Sequence, residues 1–582
     1  MSILTYILGW PLLAALALLL VPRNYRVIIR AIAVLATFVS MALAIKMFCQ
    51  FVPNTIGYQF EQQIPWVESL GISYHVGVDG LNVGLILMGA IVAFAAACCS
   101  WEIKEREKEF YILLLVMSGG ILGAFASLDL FFFYFLHELA LVPTFIMIGV
   151  WGRGERKNYA TFQITLYLSV GALIALIGLI ALYLQSGANT FDIPKLIRYV
   201  HDENHPLAAN AQNFIFPLLL FGFGILVSLW PFHSWAPLGY GAAPSPTAML
   251  HAGVLKKFGL YGLIRIALPL LPQAAHDWMT FLAWLCLGNI LYVGWVAMRQ
   301  KDLNLLIGNS SVAHMGFVFL GIASLNLIGV TGAVVIMIAH GFLAALTFAL
   351  SGYIYQQTGT LEMSKLGGLC RQLPFIGTAL LMAALAGCGL PGFANFVGEV
   401  TVFFGAWTVF PLVTALAVWG ALLIGALYML RAMRDVLHGP LPEQWAAIPD
   451  ASHAWRKLPY ALLLACLFVF GCFPRLLTDK ITPDADKIVK MATVKMGTIV
   501  AENAEKYVLL VRPHPGPLPQ ERENRSQFYA TTKGGEISND FEINENGQLL
   551  SPRPGGEGQG EGERVVTTQN NQNLLSSADT EK

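Results

Sequence analysis

Glu138 sits in the middle of Asp129-Leu-Phe-Phe-Phe-Tyr-Phe-Leu-His-Glu-Leu-Ala-Leu-Val-Pro143, a stretch apolar enough to cross a bilayer. An ionisable side chain at that depth costs about 2.5–3.5 kcal/mol on insertion scales and is found mainly along ion or proton paths. Further apolar stretches carry His251, Lys256 and Lys257, then His314, then His340, then Glu399. Carboxylates, amines and imidazoles in series can pass protons. Desolvation favours the neutral acid and a nearby ammonium favours the carboxylate, so a small movement of either partner toggles a proton. Histidine titrates near neutrality and bridges gaps in a water chain. Asp79 and Asp129 stand near the ends of apolar stretches, where caps are expected.

These residues need a membrane to give them meaning, and the composition supplies one. The 582 residues are 56% hydrophobic and 12% charged, with repeated apolar runs of the roughly 20 residues a spanning helix needs. Lys and Arg balance Asp and Glu at 36 each, which leaves no basic footprint for nucleic acid. The eight cysteines form no C-x-x-C pair and lie mostly in apolar runs, so they read as small core residues, with no metal site and no redox centre.

The hydropathy criterion places fourteen spans near residues 3–21, 28–50, 79–99, 110–127, 129–150, 162–184, 213–238, 245–270, 277–298, 303–324, 328–355, 375–410, 412–434 and 457–476. Connections after odd-numbered spans hold 17 basic residues, from Arg23 to Lys457; those after even-numbered spans hold Lys195 and Arg198. Positive charge stays inside, so both termini face outward and the first span is a retained helix.

Two spans are irregular. Trp230-Pro-Phe-His-Ser-Trp-Ala-Pro237 interrupts the seventh and Gly387-Cys-Gly-Leu-Pro-Gly392 the twelfth. Each break frees backbone groups that only a protein-lined or wet cavity can satisfy. The breaks lie five spans apart, as expected for two inverted five-helix repeats, helices 4–8 and 9–13. The fold class is thus an all-α polytopic membrane protein of about fourteen helices. Its parts are 1–109 (helices 1–3), 110–270 (first repeat), 271–434 (second repeat), 435–477 (loop and helix 14) and a mostly disordered extension, 478–582. Within the extension, 478–510 is expected to form an amphipathic helix, and the Pro/Gly-rich 512–582 cannot bury a core.

Gly77-Val-Asp-Gly-Leu-Asn82, Leu130-Phe-Phe-Phe-Tyr-Phe-Leu-His-Glu138 with Pro143, Pro231-Phe-His-Ser-Trp235, Ser310-Ser-Val-Ala-His-Met-Gly316, His340-Gly341 and Gly389-Leu-Pro-Gly-Phe-Ala-Asn-Phe-Val-Gly-Glu399 occur in that order. Together they resemble the antiporter-like subunits of respiratory complex I, of the subunit M or NADH-quinone oxidoreductase chain 4 type, within the Mrp-type antiporter superfamily. The resemblance runs to about residue 476. It implies a multi-pass subunit of a bacterial inner membrane that moves protons while electrons pass elsewhere. Quinone, FMN and iron–sulfur clusters then belong to other subunits, with none in this chain. The implied partners are L-like, N-like and K-like membrane subunits in a hetero-oligomer. The implied roles are a charge switch for Glu138, a central relay for Lys257 and a terminal carboxylate toward the outer side for Glu399, with His251, His314 and His340 as bridges. An Mrp-type cation/proton antiporter and a hydrogenase membrane subunit share most of these motifs.

The chain departs from that family where the fifth and seventh helices should meet. The family lysine five residues before the proline of Pro231-Phe-His is Leu226 here, and no ionisable residue occurs from Phe214 to Trp230. Gln163 replaces a lysine of many relatives, and Leu238-Gly-Tyr-Gly-Ala-Ala243 replaces an acidic, histidine-bearing stretch. The eighth helix gains Lys256 beside Lys257. The expectation is that Lys256 turns toward Glu138 while Lys257, about 100° away around an α-helix, serves the continuing axis. A non-conducting spacer of the membrane arm is the alternative of another class. The topology is testable by cysteine labelling: positions around Arg153 and Arg434 should react from the cytoplasmic side and residues 51–75 from outside. Cytoplasmic labelling of 51–75 would overturn the span order.

Overall fold

A bilayer offers no water to a peptide group, so a chain this apolar must satisfy its backbone within helices. The structure is a computed structural model that describes residues 2–510 except residue 203, with side chains described to residue 493. Residues Met1–Glu502 form one compact unit. The expected disorder over 512–582 lies outside the described residues.

Twelve helices are long and apolar enough to span a membrane. They include Val83–Cys99 (third), Leu130–Trp151 (fifth), Lys157–Ser186 (sixth), Ala209–Val227 (first half of the seventh), Pro272–Met298 (ninth), Leu303–Ala323 (tenth), Leu327–Thr358 (eleventh) and Pro411–Leu437 (thirteenth). The two expected spans that fall short are interrupted ones. The twelfth is split into Pro374–Gly387 and Ala394–Trp407. The eighth runs from Ser245 to Leu270 but widens into π-helix at His251–Leu255 and Leu263–Ala267. Fourteen spans with breaks in the seventh and twelfth are therefore borne out.

Burial sorts the helices into two classes. The third and tenth are 94% buried and the eleventh wholly so, whereas the sixth and thirteenth are 39% buried. Helices that are apolar all round must be surrounded by protein or by lipid. The third, tenth and eleventh are central, and the outer ones carry lipid-facing side chains such as Phe162, Leu173, Leu184 and Leu422.

Asp129 caps the fifth helix by accepting the N–H groups of Phe131 and Phe132. Three elements were not resolved in the sequence reading. Gln59–Val67 and Ile72–Val78 pair as an antiparallel hairpin turning at Gly71, which has φ 66°. The short helix Ile193–Val200 is capped by Asp192 through Lys195. The amphipathic helix expected at 478–510 is present as Arg475–Leu510, and Asp484 on it accepts the N–H of Gly80 at 2.7 Å. A Cβ on Gly80 would collide with the carbonyl of Lys480.

His75 ties the hairpin to its surroundings. Its Nδ1 meets Asp192 and its Nε2 meets Glu61, each at 2.7 Å, while Gln63 donates to the same Asp192 oxygen. Burial alone would lower the imidazole pKa. The hydrogen bonds and charges of Asp192 and Glu61 outweigh it and raise the value above normal. For Asp192, burial acts upward, and the bonds from His75 and the Lys195 N–H overcome it and lower the value. Protonated His75 thus contributes stability fully below about pH 6.5 and loses it as pH climbs through the raised value. Asp192 contributes above about pH 4 and loses that as pH falls through its lowered value. Amide exchange in residues 59–78, corrected for intrinsic rates, should show more opening on the alkaline side. His75→Gln should flatten that dependence; an unchanged profile in the variant would remove His75 from the clamp.

Candidate functional site

The break in the twelfth helix places Glu399. Gly389 and Gly392 adopt φ 72° and 98°, which glycine allows, and the second half-helix then starts at Ala394. A Cβ on Gly389 would stand 2.7 Å from Glu399 Oε2, so the carboxylate packs onto the backbone of the break itself. The carbonyl of Gly387, at the end of the first half, faces His314 Nε2 at 3.2 Å. The seventh helix is broken in the same spirit, with Ser228 at φ 75°. Asn289 of the ninth helix accepts the Trp230 N–H and donates to the carbonyls of Ser228 and Val312. Each break thus has a buried polar side chain from a neighbouring helix to satisfy it.

Lys257, His340, His314 and Glu399 come together across the eighth, eleventh, tenth and twelfth helices. Lys257 Nζ donates to the Ala252 carbonyl at 2.6 Å and to His340 Nδ1 at 2.9 Å. Because that nitrogen accepts, His340 carries its proton on Nε2. The His340 and His314 rings lie 5.4 Å apart, and His314 Nε2 is 3.7 Å from Glu399 Oε1. His314 Nδ1 faces the Ser310 carbonyl at 2.7 Å. Both its ring nitrogens therefore meet carbonyl oxygens, which only accept, so the ring satisfies both only with two protons aboard. Ser310 Oγ continues to the Tyr428 hydroxyl at 3.0 Å. His314, Glu399, Tyr428 and Cys388 line a cavity of about 10 Å³ measured to the centres of water-sized spheres, room for about one water.

Lys256 departs from expectation. Its ammonium donates to the carbonyl and hydroxyl oxygens of Ser311 on the tenth helix at 3.2 and 3.1 Å, and lies 5.6 Å from the Tyr240 ring centre. It does not turn toward Glu138. The residue of the eighth helix that meets the fifth is Phe258, stacked on Phe133 at 4.2 Å and on His137 at 3.8 Å. The π-helical turn at His251–Leu255, closed by the Lys256 N–H on the His251 carbonyl, shifts the facing that an α-helix would give. Lys256 and Lys257 do face different neighbours, as adjacent helical residues must.

Glu138 stands apart from that series. Its side chain is 31% exposed, and its nearest ionisable neighbour is His137 at 3.4 Å. Leu226 is buried among apolar side chains. Gln163 accepts no role toward Glu138; it donates to Tyr159 on its own helix. His251 is buried between the Trp235 and Tyr240 rings.

The sequence reading overlooked Arg265. Its guanidinium binds both Asp79 oxygens at 2.6 Å and donates to Tyr261, while Asp79 also caps Leu81 and Asn82. The rule that singled out Glu138 applies equally to an arginine within an apolar span, so the signal was present. Among the described residues, no cluster of three His, Cys, Asp or Glu side chains is arranged to hold a metal.

Residues 127–425 match the family described as NADH:quinone oxidoreductase/Mrp antiporter, transmembrane. The chain belongs to this family. NADH-quinone oxidoreductase subunit M of Rhodobacter capsulatus is 32% identical over 517 residues, 87% of this chain and 99% of that protein. A NAD(P)H-quinone oxidoreductase chain 4 of Nostoc is 34% identical, with 84% and 91% covered. A chain of respiratory complex I from Thermus thermophilus superposes with a TM-score of 0.77 at 29% identity, covering 84% of this chain and 99% of that one. A chain of the Mrp complex from Dietzia shares the fold, with a TM-score of 0.72 at 19% identity over 84% and 98%. The chain is a multi-pass membrane protein of this family, and the solved chains it resembles come from multi-subunit assemblies.

Removing Asp79 would leave Arg265 buried without its counter-charge, a loss of about 3–5 kcal/mol. Asp79→Ala should therefore lower the thermal stability of the chain in detergent, and Asp79→Leu with Arg265→Leu should recover much of it. A double variant as unstable as the single one would deny the pair this role.

Proposed function

We propose that the chain is the proton-translocating membrane subunit of a complex I-type NADH–quinone oxidoreductase in a bacterial inner membrane, with L-like, N-like and K-like neighbours. Quinone, FMN and iron–sulfur clusters reside in other subunits. The observation that carries this reading is the series Lys257, His340, His314 and Glu399, in which a basic group, two imidazoles and a carboxylate from four helices succeed one another. A proton on Lys257 Nζ can pass to His340 Nδ1 over an existing hydrogen bond. It continues to His314, which the Ser310 and Gly387 carbonyls favour as a doubly protonated ring. At 3.7 Å, His314 and Glu399 are an ion pair too long for a direct proton hop, and the adjoining cavity has room for the one water that would join them.

One observation favours the spacer reading: Glu138 has no Lys or Arg partner among the described residues. The same measurement decides between the two. Glu399→Gln keeps the shape of the side chain and cannot carry the charge, so donor-driven pumping by the assembled complex should fall about tenfold or more. Glu399→Asp should retain more. Wild-type pumping by the glutamine variant would select the spacer. Co-purification of the tagged chain with quinone-reducing subunits supports complex I; recovery only with other Mrp-type subunits would point to a cation/proton antiporter.

A further inference from the structure

A relay needs a supply, and the fifth and seventh helices do not offer one here. The seventh is apolar from Phe214 to Trp230, and Glu138 contacts the eighth helix through aromatic rings. The first half of the eighth helix is different. Thr247 Oγ1, His251 Nδ1 and the Tyr240 hydroxyl are each buried, and none has a hydrogen-bond partner among the described residues. A buried polar atom left so costs about 1–3 kcal/mol, and bridging water is the usual remedy.

The three lie in order. Thr247 and His251 are four residues apart, one turn of a single helix face. The π-helical turn that follows carries Lys256 onward to the same ring that His251 meets. Tyr240 is 5.4 Å from the His251 ring and 5.6 Å from Lys256 Nζ. Lys256 then reaches Ser311, whose neighbour Ser310 holds His314. At the other end the file begins in a half-buried polar rim. Glu102 accepts the Ser245 N–H at 3.0 Å and a bond from Gln356, and Arg153 reaches the Ser245 hydroxyl. Arg153 belongs to the basic loops that face the cytoplasm by the charge rule.

We propose that protons enter from the cytoplasmic side along the start of the eighth helix, from the Glu102–Arg153 rim past Thr247, His251 and Tyr240 to Lys256, without passing through Glu138. The inlet conducts hydrated protons through water held by those three side chains. It rests on the relay reading above, and it accounts for the gain of His251 and Lys256 in a chain that lacks the seventh-helix lysine.

The test uses the whole complex in inside-out membrane vesicles, with pumping followed as acidification of the lumen. Thr247→Val with Tyr240→Phe removes two hydroxyls and little volume. It should slow pumping about tenfold and shift its dependence on the pH of the cytoplasmic side, while Thr247→Ser retains the wild-type rate. Should the double variant assemble poorly, Tyr240→Phe and His251→Gln, each assayed per assembled complex, carry the comparison. Loss of pumping in Glu399→Gln with a wild-type rate and pH response in the hydroxyl variants would overturn the inlet and leave the relay standing. Wild-type pumping in Glu399→Gln would overturn the relay itself. Pumping abolished by Glu138→Gln and untouched by the hydroxyl variants would return uptake to the fifth helix and overturn the proposal.

Discussion

Two ammonium groups on consecutive residues, both buried and neither facing a carboxylate, set the terms for the rest of the molecule. Like charges this close repel strongly where water is excluded, so a proton is held most easily when the two lysines share it between them. Ser311 and the Ala252 carbonyl give each lysine an oxygen to bond, and His340 gives Lys257 a nitrogen that can accept. The compensating negative charge is displaced to Glu399, beyond two imidazoles. The separation of charge along the central helices follows from the membrane's poverty in water, and it gives a proton a direction in which to move.

The irregular helices are what make that separation possible. An unbroken twelfth helix would offer no freed carbonyl to His314 and no gap for the Glu399 carboxylate beside Gly389. His314 has two tasks as a result: it satisfies the Gly387 carbonyl and it stands next to the carboxylate. Any change in its protonation alters the bonding of the break, so chemistry and backbone geometry are coupled through one ring. Asn289 does the structural half of this work at the other break, with no titratable group and hence no such coupling.

Much of this was legible in the sequence. The spans, both breaks, the outer hairpin region as a connection and the convergence of Lys257, His340, His314 and Glu399 followed from hydropathy, from proline and glycine placement and from the family motifs. Lys256 was misdirected because its facing was inferred from an α-helical 100° step, and the π-helical turn at His251–Leu255 breaks that rule without any proline to announce it. Asn289, Tyr240 and Tyr428 escaped because amides and phenols inside apolar runs are common packing residues, and only their partners reveal their use. Arg265 escaped through emphasis alone, since an arginine in a span is as conspicuous as a glutamate.

Four π-helical turns occur among the described residues: two in the eighth helix, one at Gly288–Val293 holding Asn289, and one at Gly420–Gly425 beside the Glu399 cavity. A π-helical turn amounts to one residue inserted into an α-helix. Deleting a residue from His251–Leu255 would restore the α-helix and rotate all that follows by about 100°. Lys257 would swing off His340 and Arg265 off Asp79 in one stroke. A deletion there paired with an insertion between Phe258 and Gly262 would return Arg265 to its carboxylate and leave Lys257 misaligned. The register of the eighth helix is therefore a shared coordinate for two separate polar clusters, and length changes in this helix, unlike those in a surface loop, can be tolerated only in compensating pairs.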